Sequence, residues 1–329
     1  METILLCDGR RVPRIGIGCW AIGGPFFMDG RPDGWGDVDD RVSLKALALA
    51  YDLGARLFDT SDAYGTGHSE ELLGQAFAHR DDVVIATKFG FTHDRARREL
   101  TGTDVTPAYA RQACIASLEQ LKRDSIDLFQ IHVGEMSEAA TDALGETLEG
   151  LVEQGSIRAW GWSTDNADAA KRMLKFPHFR AVQQELSLFH GVPEMVDLCE
   201  ANGIIDLNRS PLAMGLLTGK FTAASQLPLG DVRGAGHSWV RDFRDGRPTP
   251  EALRRLAAVR ELLTTGGRTV AQGALGWLLA RSPRTLPIPG FKTEAQIRDN
   301  FGAAEKDPLP QAVMGEIAVL LAADQPTMA

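Results

Sequence analysis

Three ionisable residues close short apolar runs, and a fourth follows one of them. Asp59 closes Arg56–Asp59, and Tyr64 lies in the loop after it, Thr60-Ser61-Asp62-Ala63-Tyr64-Gly65. Lys88 closes Val83–Lys88, and His132 closes Ile126–His132. A lysine ammonium beside a tyrosine hydroxyl favours the phenolate and lowers the tyrosine pKa, and an aspartate beside the lysine fixes it and compensates its charge. Tyr64 would then donate a proton to a carbonyl oxygen as hydride reaches the carbon. His132 would orient or polarise the same carbonyl, and Trp20, after the first apolar run, would wall the substrate side beside Tyr64 and His132. Taken singly, each residue has an ordinary reading: an ion pair for Asp59 or Lys88, a rim hydrogen bond for His132, packing for Tyr64. The inference rests on their placement on consecutive runs.

Eight such runs recur: Ile15–Gly18, Arg56–Asp59, Val83–Lys88, Ile126–His132, Ile157–Ser163, Ala181–Leu186, Ile204–Asn208 and Thr285–Pro289. Several are nearly continuous in apolar character, as strands covered on both faces are. Helical patterns fall between them. Asp40–Leu53 carries Leu44, Leu47, Ala48 and Tyr51 on one stripe before Gly54. Thr106-Pro107 reads as an N-cap and first helical position, with Ala110, Cys114, Leu118 and Leu121 following at helical spacing. Thr141–Val152, Val192–Ala201, Ala252–Leu263 and Thr293–Ala303 complete the set. Strand–helix alternation of this kind predicts an α/β fold, a (β/α)8 TIM barrel over residues 1–329 as one domain, whose chemistry sits where strands end. An open doubly wound sheet is the rival, because strand order is not read from pattern. Leu5–Val12, turning at Asp8-Gly9, predicts an N-terminal β-hairpin across the barrel floor, and Leu309–Ala322 an extra C-terminal helix. Residues 221–250 form the longest irregular stretch, a length associated with function or disorder.

A net charge of −9 and a pI of about 5.3, without a basic run, argue against nucleic acid or an anionic membrane as partner. No apolar run is long enough to span a bilayer, and the N-terminus lacks a signal-peptide pattern. The four cysteines are scattered, which argues against a disulfide scaffold or structural zinc and for a cytoplasmic location. The histidines show no paired metal spacing, so no metal is expected. Gly16-Ile17-Gly18-Cys19-Trp20-Ala21 matches a relaxed dinucleotide fingerprint, but Gly23-Gly24-Pro25 breaks the helix that motif requires.

Phe58-Asp59-Thr60-Ser61-Asp62-Ala63-Tyr64-Gly65, Ala86-Thr87-Lys88 and Gln130-Ile131-His132 resemble the signature segments of the aldo-keto reductase superfamily, and the similarity runs from about Ile15 to Ala304. The resemblance implies a barrel binding an extended nicotinamide cofactor, here NADPH, and a tetrad of Asp59, Tyr64, Lys88 and His132. It implies that Ser163 and Gln183 hold the nicotinamide carboxamide, with Thr164 where the family has Asn. Arg209 stands where an aromatic residue often stacks on the nicotinamide. The segment from Ser210 through Leu212, Gly215 and Leu216 to Lys220 resembles a pyrophosphate site. Gly290, Lys292, Thr293, Gln296, Asp299 and Asn300 resemble the adenosine-phosphate segment, with Lys292 and Thr293 facing a 2′-phosphate and Asn300 the adenine. The implied activity is reduction of a small-molecule aldehyde or ketone to an alcohol. The alternatives are an NAD(P)-dependent sugar or alcohol dehydrogenase and a cofactor-binding regulatory protein like the superfamily's channel β-subunits. Substrate identity and oligomeric state stay open.

Overall fold

The computed structural model describes residues 1–6 and 8–323. Thr3–Leu5 pairs antiparallel with Arg11–Pro13, Ile4 opposite Val12, around a turn with Gly9 at φ 85°. Eight parallel strands follow: β1 (Ile17–Gly18), β2 (Leu57–Asp59), β3 (Val84–Phe89), β4 (Leu128–Ile131), β5 (Trp160–Ser163), β6 (Phe179–Glu185), β7 (Ile205–Arg209) and β8 (Thr285–Pro287). They pair in sequence order. Gly16 N donates to Pro287 O and Gly18 N to Pro289 O, each at 3.0 Å, so the first and last strands meet and the sheet closes. A doubly wound sheet has edges and a strand-order reversal, so closure decides for the barrel. A Cβ on Gly18 would lie 2.6 Å from Ile288 O, which is why the seam runs through glycine.

Strand alternation sorts the side chains into two layers. Leu57, Val84, Ala86, Leu128, Ala159, Ala181, Ile205, Leu207, Leu286 and Ile288 pack together as the barrel interior, with Ile4 and Val12 of the hairpin closing it below. Phe58, Ile85, Phe129, Trp160, Trp162 and Val182, one residue out of step, pack against the helices. Two positions beyond the inner layer, toward the C-terminal ends of β2 and β3, the same parity points Asp59 and Lys88 inward.

The helices are α1 (Asp40–Asp52), α2 (His68–Phe77), α3 (Pro107–Leu121), α4 (Glu138–Glu153), α5 (Ala167–Met173), α6 (Pro193–Asn202), α7 (Pro250–Leu263), α8 (Val270–Arg281), α9 (Glu294–Phe301) and α10 (Gln311–Ala323). Thr106 caps α3 by accepting from Tyr109 N, with Pro107 at the first position. On α1 the buried face is Ser43, Ala46, Leu47 and Ala50, while Ala48 is exposed, so the stripe is rotated from the expected one. Helices α2, α5 and α8 fall outside the helical patterns of the sequence. Helix α8 is the one that packs on β8, whereas α7 pairs with α10 outside the barrel. Apolar nearly all round, α8 carries little periodic signal.

Loops at the C-terminal ends of the strands build a four-stranded sheet from Arg31–Pro32, Phe27–Met28, Glu99–Thr103 and Phe91–Asp94. Residues 221–250 are folded as a strap. They contain the hairpin Phe243–Arg244/Arg247–Pro248, and Val232 N donates to Gly34 O at 2.9 Å. Among the described residues no helix is long and apolar enough to cross a membrane.

Candidate active site

Lys88, wholly buried, donates from Nζ to Asp59 Oδ1 at 2.5 Å, to Thr60 O at 2.7 Å and to the Tyr64 hydroxyl at 3.2 Å. Asp59 Oδ2 accepts from Gln183 Nε2 at 2.8 Å and Gln130 Nε2 at 3.1 Å. Both oxygens of this buried carboxylate thus face donors, which is what keeps a charge in an apolar barrel. Burial depresses the Lys88 ammonium, but Asp59 and Tyr64 outweigh it and raise the pKa, so Lys88 stays charged.

Tyr64 is carried by a loop pressed against the Trp20 loop: a Cβ on Gly65, at φ 63°, would lie 1.9 Å from Gly23 O. The Trp20 indole stacks on the Tyr64 ring at 5.9 Å and 22°, and the His132 ring meets Tyr64 edge-on at 5.8 Å. A lysine beside the hydroxyl predicts a lowered Tyr64 pKa. Burial instead raises it, with Lys88 and Arg209 pulling the other way. The phenol is therefore protonated at neutral pH and can act as an acid. Burial, then Lys88 and Arg209, push His132 well below the ordinary histidine range, so the imidazole is neutral.

These groups open into a cleft of about 730 Å³ that runs from Trp20, Tyr64 and His132 past Ser163, Thr164, Gln183, Arg209, Ser210, Leu212, Gly215 and Lys220 to Gly290, Lys292, Gln296 and Asn300. Leu216, Thr293 and Asp299 do not line it. Leu216 is buried beneath it. Thr293 caps α9 in a reciprocal box with Gln296, and Asp299 Oδ1 accepts from Thr269 at 2.8 Å. Thr164 Oγ1 donates to Gly134 O at 2.7 Å, and Asn300 Nδ2 to Gly290 O at 3.1 Å. Arg209 is held by Asp165 through NH2, with Glu185 3.9 Å from NH1. Its charge is therefore compensated. Phe26, Trp35, Phe91 and Trp239 line the cleft with Trp20 and Tyr64, whereas Phe27 is exposed and Phe89 stacks on Phe129 in the outer layer.

Sequence reasoning missed the strap's anchor. Arg233 grips Asp231 through Nε at 2.8 Å and NH2 at 2.6 Å, donates from NH1 to Met214 O at 2.9 Å, and stacks over Trp35 at 4.6 Å. It also missed Gln130, although its parity with Leu128 and His132 points it inward. Lys220 and Lys292 are both depressed, first by burial and also by Arg233, with Asp231 opposing. Three cations thus gather about Asp231, with Asp37 also acting on Lys292, beside a run of left-handed backbone at Ser210, Ala213, Met214 and Gly215. Surplus positive charge and turned backbone suit phosphate oxygens, so these residues fit a phosphate-bearing cofactor.

The aldo/keto reductase family model matches residues 14–322. The chain is 31% identical to "Aldo-keto reductase yakc [NADP(+)]" of Schizosaccharomyces pombe, covering 93% of this chain and 87% of that protein. It is 32% identical to the chloroplastic pyridoxal reductase of Arabidopsis thaliana, covering 89% and 79%. The solved glycerol dehydrogenase AKR11B4 of Gluconobacter oxydans superposes with a TM-score of 0.84 at 25% identity over 100% of this chain and 97% of that one. With the closed barrel and the Asp–Tyr–Lys–His cluster at its C-terminal face, these similarities place the chain in the aldo/keto reductase family of NAD(P)H-dependent oxidoreductases.

Proposed function

We propose that the protein reduces an aldehyde or ketone with NADPH, Tyr64 serving as the proton donor. The observation that carries this is the Lys88 ammonium between Asp59 and the Tyr64 hydroxyl, at 2.5 and 3.2 Å. A nicotinamide dinucleotide, when bound, would supply the hydride. Lys88 stabilises negative charge on the Tyr64 oxygen as its proton leaves for the carbonyl oxygen. Asp59 holds Lys88 in place, and His132, neutral, directs the carbonyl toward Tyr64. Gln183 is engaged by Asp59 through Nε2, which leaves its Oε1 and the Ser163 hydroxyl for the carboxamide. Lys220, Arg233 and the backbone at 210–215 would hold the pyrophosphate. Lys292, whose Nζ donates to Trp35 O at 2.7 Å, would serve the strap side of the phosphates as well as the adenosine end. The printed name of the yeast relative supports NADP as the cofactor.

Trp20, Trp35, Trp239, Phe91, Met28 and Leu100 favour a substrate with an apolar or aromatic body. The test is the initial rate of NADPH oxidation with an activated aromatic aldehyde, for wild type and Tyr64→Phe. Turnover that collapses in the variant supports the reading; equal rates overturn it. A dehydrogenase direction is the second reading, favoured by the glycerol dehydrogenase at TM-score 0.84. Measuring both directions with NADP⁺ and NAD⁺ separates the two.

A further inference from the structure

Ser61 lies behind His132, away from the cleft. Its Oγ accepts from Ala63 N at 3.1 Å and has two more neighbours, His132 Nδ1 at 3.0 Å and Asp62 Oδ1 at 3.2 Å. A hydroxyl has one proton and two lone pairs. With one lone pair taken by Ala63 N–H, Ser61 can satisfy both remaining neighbours in only two ways. It donates to Asp62 and accepts from His132 Nδ1–H, or it accepts from a protonated Asp62 and donates to a bare His132 Nδ1. The two ways give opposite tautomers, since one imidazole nitrogen carries the proton only if the other does not.

We propose that Asp62 donates to Ser61 and Ser61 to His132 Nδ1, so that His132 presents Nε2–H to the substrate oxygen. Asp62 is 4% exposed and, among the described residues, forms no ion pair. The charged and titratable groups around it are Glu70 from α2, Lys88 from β3 and Tyr109 from α3, with His132 beyond Ser61. Glu70 is itself wholly buried, its Oε1 accepting from Thr87 at 2.6 Å and its Oε2 unpartnered. Two carboxyl groups sharing a buried site cannot both ionise without large cost, and Lys88 is already committed to Asp59. Burial and Glu70 raise the Asp62 pKa well above the carboxylate range, outweighing the opposing pull of the Ser61 and Ala63 hydrogen bonds and of Lys88. The neutral acid then has a proton to give, and it gives it to the oxygen it faces.

Asp62 and Ser61 thereby act as positioning residues. They touch no substrate, and no net proton moves along the chain. They decide whether His132 meets a carbonyl with a donor or with a lone pair, and a lone pair would repel the oxygen that Tyr64 must reach. This rests on the role of His132 in the proposed reduction, but its test does not need turnover.

The experiment is nitrogen NMR of the full chain labelled with ¹⁵N-histidine at neutral pH, with His132 assigned by signal loss in His132→Gln. The expected spectrum shows His132 Nε2 protonated and Nδ1 bare, and this holds in Ser61→Thr. In Ser61→Ala the Nδ1–H form becomes populated, and kcat falls about fivefold, the scale of one lost neutral hydrogen bond, with NADPH affinity unchanged. A protonated-carboxyl stretch in the infrared spectrum that disappears in Asp62→Asn locates the proton. Wild-type His132 with Nδ1 protonated overturns the proposal, as does an unchanged tautomer in folded Ser61→Ala or no infrared difference in Asp62→Asn. The wild-type spectrum stands even if Ser61→Ala does not fold. An enzyme inactive on carbonyls with the expected tautomer sinks the proposed function alone, and an active enzyme with the opposite tautomer sinks this inference alone.

Discussion

The Lys88 ammonium and the Tyr64 hydroxyl lie 3.2 Å apart, with Lys88 also 4.8 Å from the Tyr64 ring centroid. Tyr64 is therefore held against a fixed cation while its own burial keeps it protonated. Replacing Tyr64 by Phe removes the acid and is expected to lower kcat by about 10²-fold or more with little change in NADPH affinity. Its raised pKa also places the alkaline fall in carbonyl reduction above pH 10, read from the kcat/KM profile. Lys88→Met removes a counter-charge, leaves Asp59 buried without its cation, and should cost both activity and thermal stability. Stopped-flow rates and calorimetry on the two variants test this.

Arg209 is pinned by Asp165 and flanked by Glu185, which Arg241 also binds. Arg209→Tyr removes one cation and leaves two carboxylates at the rim. The expected result is weaker binding of an anionic cofactor and a changed ratio of reduction to oxidation rates. Unchanged kinetics in both directions would mean that Arg209 lies outside the reacting region.

Arg233, gripped by Asp231 within the strap, ties it to Met214 and stacks on Trp35, while Asp231 and Val232 join the strap to the loop of Gly34 and Trp35. Arg233→Ala should raise the NADPH dissociation constant by about tenfold or more, mainly through faster release, because the lost contacts are those that hold the strap's lining residues at the cleft. Fluorescence titration and stopped-flow displacement give both quantities. The wild-type affinity should also fall with added salt, since Lys220, Arg233 and Lys292 form a like-charged group.

Glu70 is wholly buried and its pKa is raised from 4.5 to about 7, chiefly by burial, with the Thr87 hydrogen bond opposing. Between those two values the folded state holds a proton that the unfolded chain has released. Its contribution is thus greatest below pH 4.5 and is lost as the pH rises to about 7, an effect of roughly 3 kcal/mol at most. Glu70→Gln should flatten the decline of stability across that window in urea unfolding at several pH values. A parallel decline in the variant would assign the effect elsewhere, with Asp62, raised well above the carboxylate range, and Asp33 and Asp206, at about 7 and about 6, also raised.

Asp127 anchors the barrel floor. It accepts from Ile85 N at 2.8 Å and Arg123 at 3.2 Å, pairs with Arg10 of the N-terminal hairpin, and has Arg158 at 3.4 Å. Asp127→Ala strands a buried N–H and leaves three guanidinium groups without their shared partner. A loss of about 3–5 kcal/mol is expected, measurable by calorimetry, with no direct effect on the distant rim.

The strand ends were legible because they depend on local pattern. An apolar run closing on a single ionisable residue marks both the strand and the rim, and Asp59, Lys88 and His132 follow from that alone. The Thr106-Pro107 cap was equally local, since a hydroxyl and a fixed φ act within one turn. Helix α8 was not legible, because a helix buried on most sides has no polar stripe to set its period. The stripe on α1 was misplaced by a neighbouring position because alanines and leucines fill both flanks of its buried face.

By itself the sequence determined the residue types at the rim, the alternation of strand and helix, and hence the chemistry available. Tertiary structure decided the rest. Closure through Gly16 and Gly18 to β8 joins residues about 270 positions apart, and no local propensity encodes such pairing. Curling of the sheet also brings Gln183 onto Asp59, and folding of the strap brings Arg233 onto Met214. The direction of the Tyr64 pKa shift likewise needed the fold. Sequence supplies the neighbouring Lys88, but only the packed cleft supplies the desolvation that outweighs it.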